Sequence, residues 1–90
     1  MKVQVEYFGM LREAAGRRQE DVDVPEGTEV HALLQHVARQ HGDPLQAMVL
    51  GEGDAPHPWL LIALDDVVAS PDAQLAPGSH VLLSSPISGG

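Results

Sequence analysis

The 90-residue sequence contains no cysteine. That absence excludes a disulfide framework, an iron–sulfur cluster, a thiolate zinc site and a cysteine nucleophile together. Long apolar runs are also missing. None approaches the roughly 20 residues that a membrane span needs, and no basic segment followed by an apolar stretch opens the chain. A cytoplasmic chain with no membrane partner is the expectation. Positive charge is scarce: 5 basic residues stand against 13 acidic ones, for a net charge of −8. Lys2, Arg12, Arg17, Arg18 and Arg39 all precede residue 40, and beyond it the charged side chains are Asp43, Glu52, Asp54, Asp65, Asp66 and Asp72. Such a balance repels nucleic-acid phosphates and anionic lipid and attracts a basic protein surface. It also serves plain solubility.

What is present suits one domain. Apolar residues make up 43% and charged residues 20%, a globular rather than a disordered composition. Lys2 to Phe8 alternates, with Val3, Val5 and Tyr7 on one side and Gln4, Glu6 and Phe8 on the other, which predicts a strand with one face in the core. Met10, Leu11, Ala14 and Ala15 have the spacing of a short helical turn. Arg18 to Val24 reads as a second strand, anchored by Val22 and Val24 and antiparallel to the first.

Pro25 to Thr28 is a turn into a helix, with Thr28 as the expected N-cap and Glu29 in the first turn. Val30, Leu33, Leu34, Val37 and Ala38 then form one apolar stripe, and Gly42 is the expected stop. Leu45, Met48 and Val49 share one face of a further short helical turn, expected to end at Gly51. Glu52 to Pro58 is a loop, and the excursion from Gly42 to Pro58 is a candidate cover for a sheet edge. Trp59 to Leu64 is a six-residue apolar run, read as a strand covered on both faces or covered on one and adhesive on the other. Asp65-Asp66 forms a hairpin tip returning through Val67-Val68, Leu75 anchors the next loop, and His80 to Ser84 is the last strand. One amphipathic helix covers one face of such a sheet, giving a two-layer α+β domain. By analogy of fold, a β-grasp arrangement fits. It is a mixed sheet with the first and last strands parallel in the middle and one main helix on one face.

No ordinary active site emerges. His31, His36 and His41 recur at intervals of five, which places successive rings on different helix faces, and with His57 and His80 they read as surface residues. No metal site is expected from them. Asp65 and Asp66 read as a turn rather than an acid–base pair. Ser84, Ser85 and Ser88 lack a nucleophile-elbow context, and no phosphate-binding loop is present. The chain on its own is expected to be neither an enzyme nor the holder of a cofactor.

The unusual feature is the end, Ser85-Pro86-Ile87-Ser88-Gly89-Gly90. Residues 1–84 are read as the folded domain and 85–90 as a flexible tail. A frayed terminus would look the same. The functional alternative is a main-chain carboxylate that a partner enzyme activates, on a tail narrow enough to thread a channel because Gly89 and Gly90 carry no Cβ.

These residues resemble a known family. The stretch Phe8-Gly9-Met10-Leu11-Arg12-Glu13-Ala14-Ala15-Gly16, the turn Pro25-Glu26-Gly27-Thr28 before Leu33-Leu34, the Leu75-Ala76-Pro77-Gly78 loop and the Ser85 to Gly90 end are together similar to the MoaD-like small subunits of molybdopterin synthase. Those belong to the ubiquitin-related MoaD/ThiS sulfur carriers. Three positions depart from the family pattern. Ser85-Pro86 stands for two prolines, Asp65-Asp66 for Asn-Gly, and Ser79-His80 for an acidic pair, the last bearing on contacts with the activating enzyme.

The resemblance implies that an E1-like enzyme adenylates the Gly90 carboxylate with ATP and that sulfur then replaces one oxygen to give a thiocarboxylate. The synthase large subunit would take up Pro86, Ile87, Ser88 and Gly89 in a channel and pass the sulfur to a pterin precursor. ATP would be used by the activating enzyme and no cofactor held by this chain. Two other destinations share the same activation: conjugation to lysines as a protein modifier, and sulfur donation for thiamin or tRNA thiolation. The length and the Phe8 to Gly16 stretch favour the molybdopterin reading over the shorter thiamin carriers. The apolar strands finally offer more side chains than one helix covers. Either both faces are covered within the domain, or Phe8, Leu61, Ala63 and Leu82 form a patch that docks a partner.

Overall fold

Alternation in the first strand sets the sheet. In the computed structural model, which describes residues 1–85, β1 (Lys2–Tyr7) turns Val3, Val5 and Tyr7 into the core. After α1 (Met10–Ala15), β2 (Gln19–Asp23) pairs antiparallel with β1, placing Val3 beside Val22 and Val5 beside Glu20. β5 (His80–Ser84) lies parallel to β1 on its other side, and β3 (Leu61–Leu64) and β4 (Val67–Val68) extend the sheet antiparallel. The strand order is β2-β1-β5-β3-β4, a mixed sheet with the first and last strands parallel in the middle. This is the ubiquitin-like β-grasp fold expected above.

The helix α2 (Val30–His41) buries Val30, Leu33, Leu34, Val37 and Ala38, the stripe read from the sequence, and stops at Gly42. Gly42 has φ 71° and ψ −163°, a backbone state that a side chain would strain. The start differs from the expectation. Glu29, not Thr28, is the N-cap, and no side chain caps the helix. Thr28 Oγ1 instead donates back to the Pro25 carbonyl, closing the turn. A loop does the capping. The Val30 and His31 amides donate to the carbonyls of Ala73 and Pro71, and Leu75 N–H donates to Thr28 O. With Leu75 buried, the loop is strapped across the start of α2.

The excursion after α2 does not lie along a strand edge. α3 (Leu45–Val49) packs on α1 and α2, and Leu45 and Val49 join the core while Met48 is half-buried. α3 is closed by Leu50 as its C-cap, one residue before Gly51. The strand expected from Trp59 begins only at Leu61. Trp59 instead stacks on the His57 ring, centroids 4.8 Å apart, and Leu60 N–H closes a turn onto His57 O.

Sequence reasoning missed one interior group. Glu20 faces inward opposite Val5, two residues before Val22, on the same side of β2. Tyr7 donates its phenol to Glu20 Oε2 at 2.5 Å, His41 Nε2 lies 2.6 Å from the same oxygen, and Arg17 lies 3.6 Å from Oε1. Burial works against the Glu20 carboxylate. The hydrogen bonds from Tyr7 and His41, with the charges of His41 and Arg17, outweigh it and hold the group below its ordinary range. Burial first, and then the Glu20 hydrogen bond and charge, push the Tyr7 phenol up. His41 also meets Tyr7 edge-on, centroids 5.9 Å apart, so the end of α2 is fastened to β1 and β2 through one carboxylate.

The histidines are therefore not a uniform surface set. His36 is exposed, but His31, His41, His57 and His80 are half-buried with polar partners, because each falls beside a carboxylate or carbonyl supplied by the fold.

Candidate functional site

The helices lie on one side of the sheet, and the strand register assembles the other side. β1 and β5 pair Glu6 with Leu82, β5 and β3 pair Leu82 with Ala63, and β3 and β4 pair Ala63 with Val68. One row across the open face is thus Glu6, Leu82, Ala63, Val68. The next row pairs Ser84 with Leu61, and Phe8 follows Tyr7 beside it, its N–H donating to Leu83 O. Phe8 is 52% exposed, Leu61 42% and Val68 72%, while Leu82 and Ala63 are half-buried. The four apolar residues expected as a patch share one face, and the reading in which both faces are covered within the domain does not hold for the described residues.

Val68 was missed as a member of that face. Its place depends on the hairpin. Asp65 and Asp66 have φ values of 50° and 71°, the two left-handed positions that let a two-residue turn match the twist of its strands. That turn fixes Val68 opposite Ala63.

Polar groups frame the face. Arg12 holds its guanidinium 5.8 Å from the centre of the Phe8 ring and donates from Nε to Tyr7 O. His80 Nε2 lies 2.9 Å from Glu6 Oε1, and the His80 amide donates to Asp65 Oδ1. The acidic residues past residue 40 are spread along the chain. They sit on separate connections: Asp43 before α3, Glu52 and Asp54 in a 3-10 turn, Asp65-Asp66 at the hairpin and Asp72 in the capping loop. Asp54 is partly offset by Arg39 at 3.5 Å.

The last described residue, Ser85, is buried, and the chain leaves the sheet after the row of Phe8, Ser84 and Leu61. Pro86, Ile87, Ser88, Gly89 and Gly90, the residues expected to carry the chemistry, lie outside the described residues. Among the described residues no helix is long and apolar enough to cross a membrane.

A β-grasp domain with one open apolar sheet face at its carboxyl end defines a class, and the comparisons place the chain within it. The ThiS family model matches residues 5–90, so the chain belongs to the ThiS family. A Pyrococcus furiosus protein provisionally designated molybdopterin converting factor, subunit 1, is 32% identical, with 96% of this chain and 98% of that one covered and a TM-score of 0.79. SAMP1 of Haloferax volcanii, a small archaeal modifier protein, is 26% identical over the whole of both chains, with a TM-score of 0.90. CysO of Amycolatopsis orientalis, crystallised in a complex with BexX, shares the fold at 17% identity, with a TM-score of 0.72 over 98% of this chain and 99% of that one. No curated protein sequence matches. The family is one of ubiquitin-like sulfur carriers and modifiers.

Proposed function

We propose that this chain is a sulfur carrier that acts through Gly90 and donates sulfur in molybdopterin biosynthesis as the small subunit of the synthase. The observation that carries the reading is the 32% identity with the P. furiosus protein across nearly all of both chains. The family match also runs to Gly90 itself.

In the proposed chemistry an oxygen of the Gly90 carboxylate attacks the α-phosphorus of ATP on an E1-like enzyme, and pyrophosphate leaves. Sulfide, as hydrosulfide, then attacks the acyl carbon and AMP leaves, giving the thiocarboxylate. This chain supplies the acyl group and the docking surface and catalyses neither step. Phe8, Leu61, Ala63, Leu82 and Val68 dock first the activating enzyme and then the large subunit. Their apolar area drives association.

A second reading has its own support: the full-length likeness to SAMP1, whose name is that of a modifier. There the activated Gly90 ends in an isopeptide bond to a lysine. Intact mass of the chain isolated from its own cells separates the two. A gain equal to sulfur in place of oxygen, lost on sulfur starvation, supports the carrier. Ladders of lysine-linked conjugates support the modifier, and a chain that shows neither overturns both.

A further inference from the structure

The loop that caps α2 brings together three metal-ligating side chains that the proposed function does not use. Glu29 and His31 flank Val30 at the start of α2, and Asp72 lies between Pro71 and Ala73. One ligand atom from each lies within 4.8 Å of the other two, with Glu29 Oε1 and His31 Nε2 2.8 Å apart. We propose that Glu29, His31 and Asp72 form a binding site for a divalent transition metal of the zinc class, with water in the remaining position.

The backbone holds the three residues beside one another before any metal arrives. Pro71 and Ala73, on either side of Asp72, give their carbonyls to the amides of His31 and Val30. Glu29 is bridged to Gln74, and Leu75 N–H is bonded to Thr28 O. Asp72 therefore cannot move away from Glu29 and His31 without breaking the cap of the helix.

The positive end of a helix ordinarily repels a cation. Here its free amides are spent: Val30 and His31 donate to the loop, and Ala32 and Leu33 donate to Glu29 O. Oxygen and imidazole ligands bind zinc at about 2.0–2.2 Å, which sets tetrahedral donors about 3.3 Å apart. The observed separations, from 2.8 Å to at most 4.8 Å, bracket that value, so binding requires the donors to adjust around the ion. Two carboxylates balance a divalent charge, and the imidazole nitrogen selects zinc, cobalt, nickel or copper over magnesium or calcium.

The His31 to Asp72 connection is invisible to sequence spacing, which looks for paired ligands one helical turn apart. It arises only because the loop folds back over α2. A bound metal would tie that loop, which leads into β5, to the helix a second time.

Calorimetric titration of the chelator-treated full chain with zinc chloride tests the site. The expected result is saturable one-to-one binding that weakens by at least about tenfold in His31→Ala and in Asp72→Asn, is unchanged in His36→Ala, and is not matched by magnesium. Zinc should also raise the melting temperature of the unmodified chain and not that of Asp72→Asn. In the unmodified chain, imidazole nitrogen resonances report which histidine responds first to substoichiometric zinc, and His31 is expected. The proposal is overturned by no saturable binding, by binding undiminished in both variants, or by a first response at His36, His41, His57 or His80.

Discussion

The two faces of the sheet use the same strands and end differently. Val81 and Leu83 of β5 are fully buried under the helices, while Leu82 between them stands half-buried on the open side. β3 repeats the division, with Ile62 buried and Leu61 exposed. Apolar side chains thus occupy both sides, but among the described residues only one side has a layer to cover it. Burial on the first side holds the fold together. On the second, the apolar area left in water is available to a partner.

Changes at neighbouring residues of β5 should separate these roles most strongly. Leu83→Ala removes a fully buried side chain and should cost about 2–5 kcal/mol. At about 4–8 °C per kcal/mol for a domain of this size, calorimetry should show a melting temperature lower by roughly 8–40 °C. Leu82→Asp should cost less than about 1 kcal/mol, as a change on the open side, yet lose the partner in a pull-down. If Leu82→Asp unfolds the chain as Leu83→Ala weakens it, the open face is core and the distinction fails.

The Glu20 cluster makes the next contrast, because it is polar on the covered side. Tyr7→Phe removes the phenol hydrogen bond and should cost about 1–2 kcal/mol in denaturant unfolding. The pH dependence has a definite sign at each limb. Glu20 is held below its ordinary value in the fold, so its contribution is complete above the unfolded value, about 4.3. It is lost as pH falls through the folded value. Tyr7 is pushed up, so its contribution is complete below the unfolded value, about 10, and is lost as pH rises past it. Stability measured against pH should therefore fall less steeply with acid in Glu20→Gln and less steeply with alkali in Tyr7→Phe than in the unmodified chain. Limbs that match the unmodified chain in both variants would mean that the cluster is not coupled to folding.

Much of this architecture is legible in the sequence, and the misses have a common cause. The stripe of Val30, Leu33, Leu34, Val37 and Ala38 is periodic and apolar, so it can be read directly. Glu20 is equally periodic, at the position where alternation demands an inward residue, but its charge argues for the surface until Tyr7 and His41 are seen to meet it. Thr28 has the chemistry of an N-cap, and it lost that place because the Pro71 to Leu75 loop caps α2 with backbone carbonyls. Phe8, Leu61, Ala63 and Leu82 could be named only as one of two readings, because the apolar runs show no alternation to tell an open face from a covered one, whereas Val68 needed the hairpin register. The reading of Gly89 and Gly90 rests on sequence and family, since both lie outside the described residues.

The smallest expected effect concerns that hairpin. Asp66 sits at φ 71°, which glycine tolerates without a steric cost. Asp66→Gly should stabilise the chain by about 0.5 kcal/mol, the relief of strain being partly offset by the freedom of glycine in the unfolded state. Denaturant midpoints would show it, and a fall in stability would mean that the turn depends on the Asp66 side chain.

Deletion of Gly90 separates folding from activation most directly. Every buried core residue among the described ones precedes Ser85, so the shortened chain should melt as the unmodified chain does. Its carboxylate is withdrawn by up to about 3.5 Å, and a misplacement of even about 1 Å can cost on the order of 100-fold in a positioned reaction. Incubated with the cognate activating enzyme, ATP and a sulfur donor, the unmodified chain should acquire the mass of a thiocarboxylate. The shortened chain should take up neither AMP nor sulfur. A shortened chain that is adenylated and thiolated at the unmodified rate would contradict the assignment of Gly90 as the reacting group.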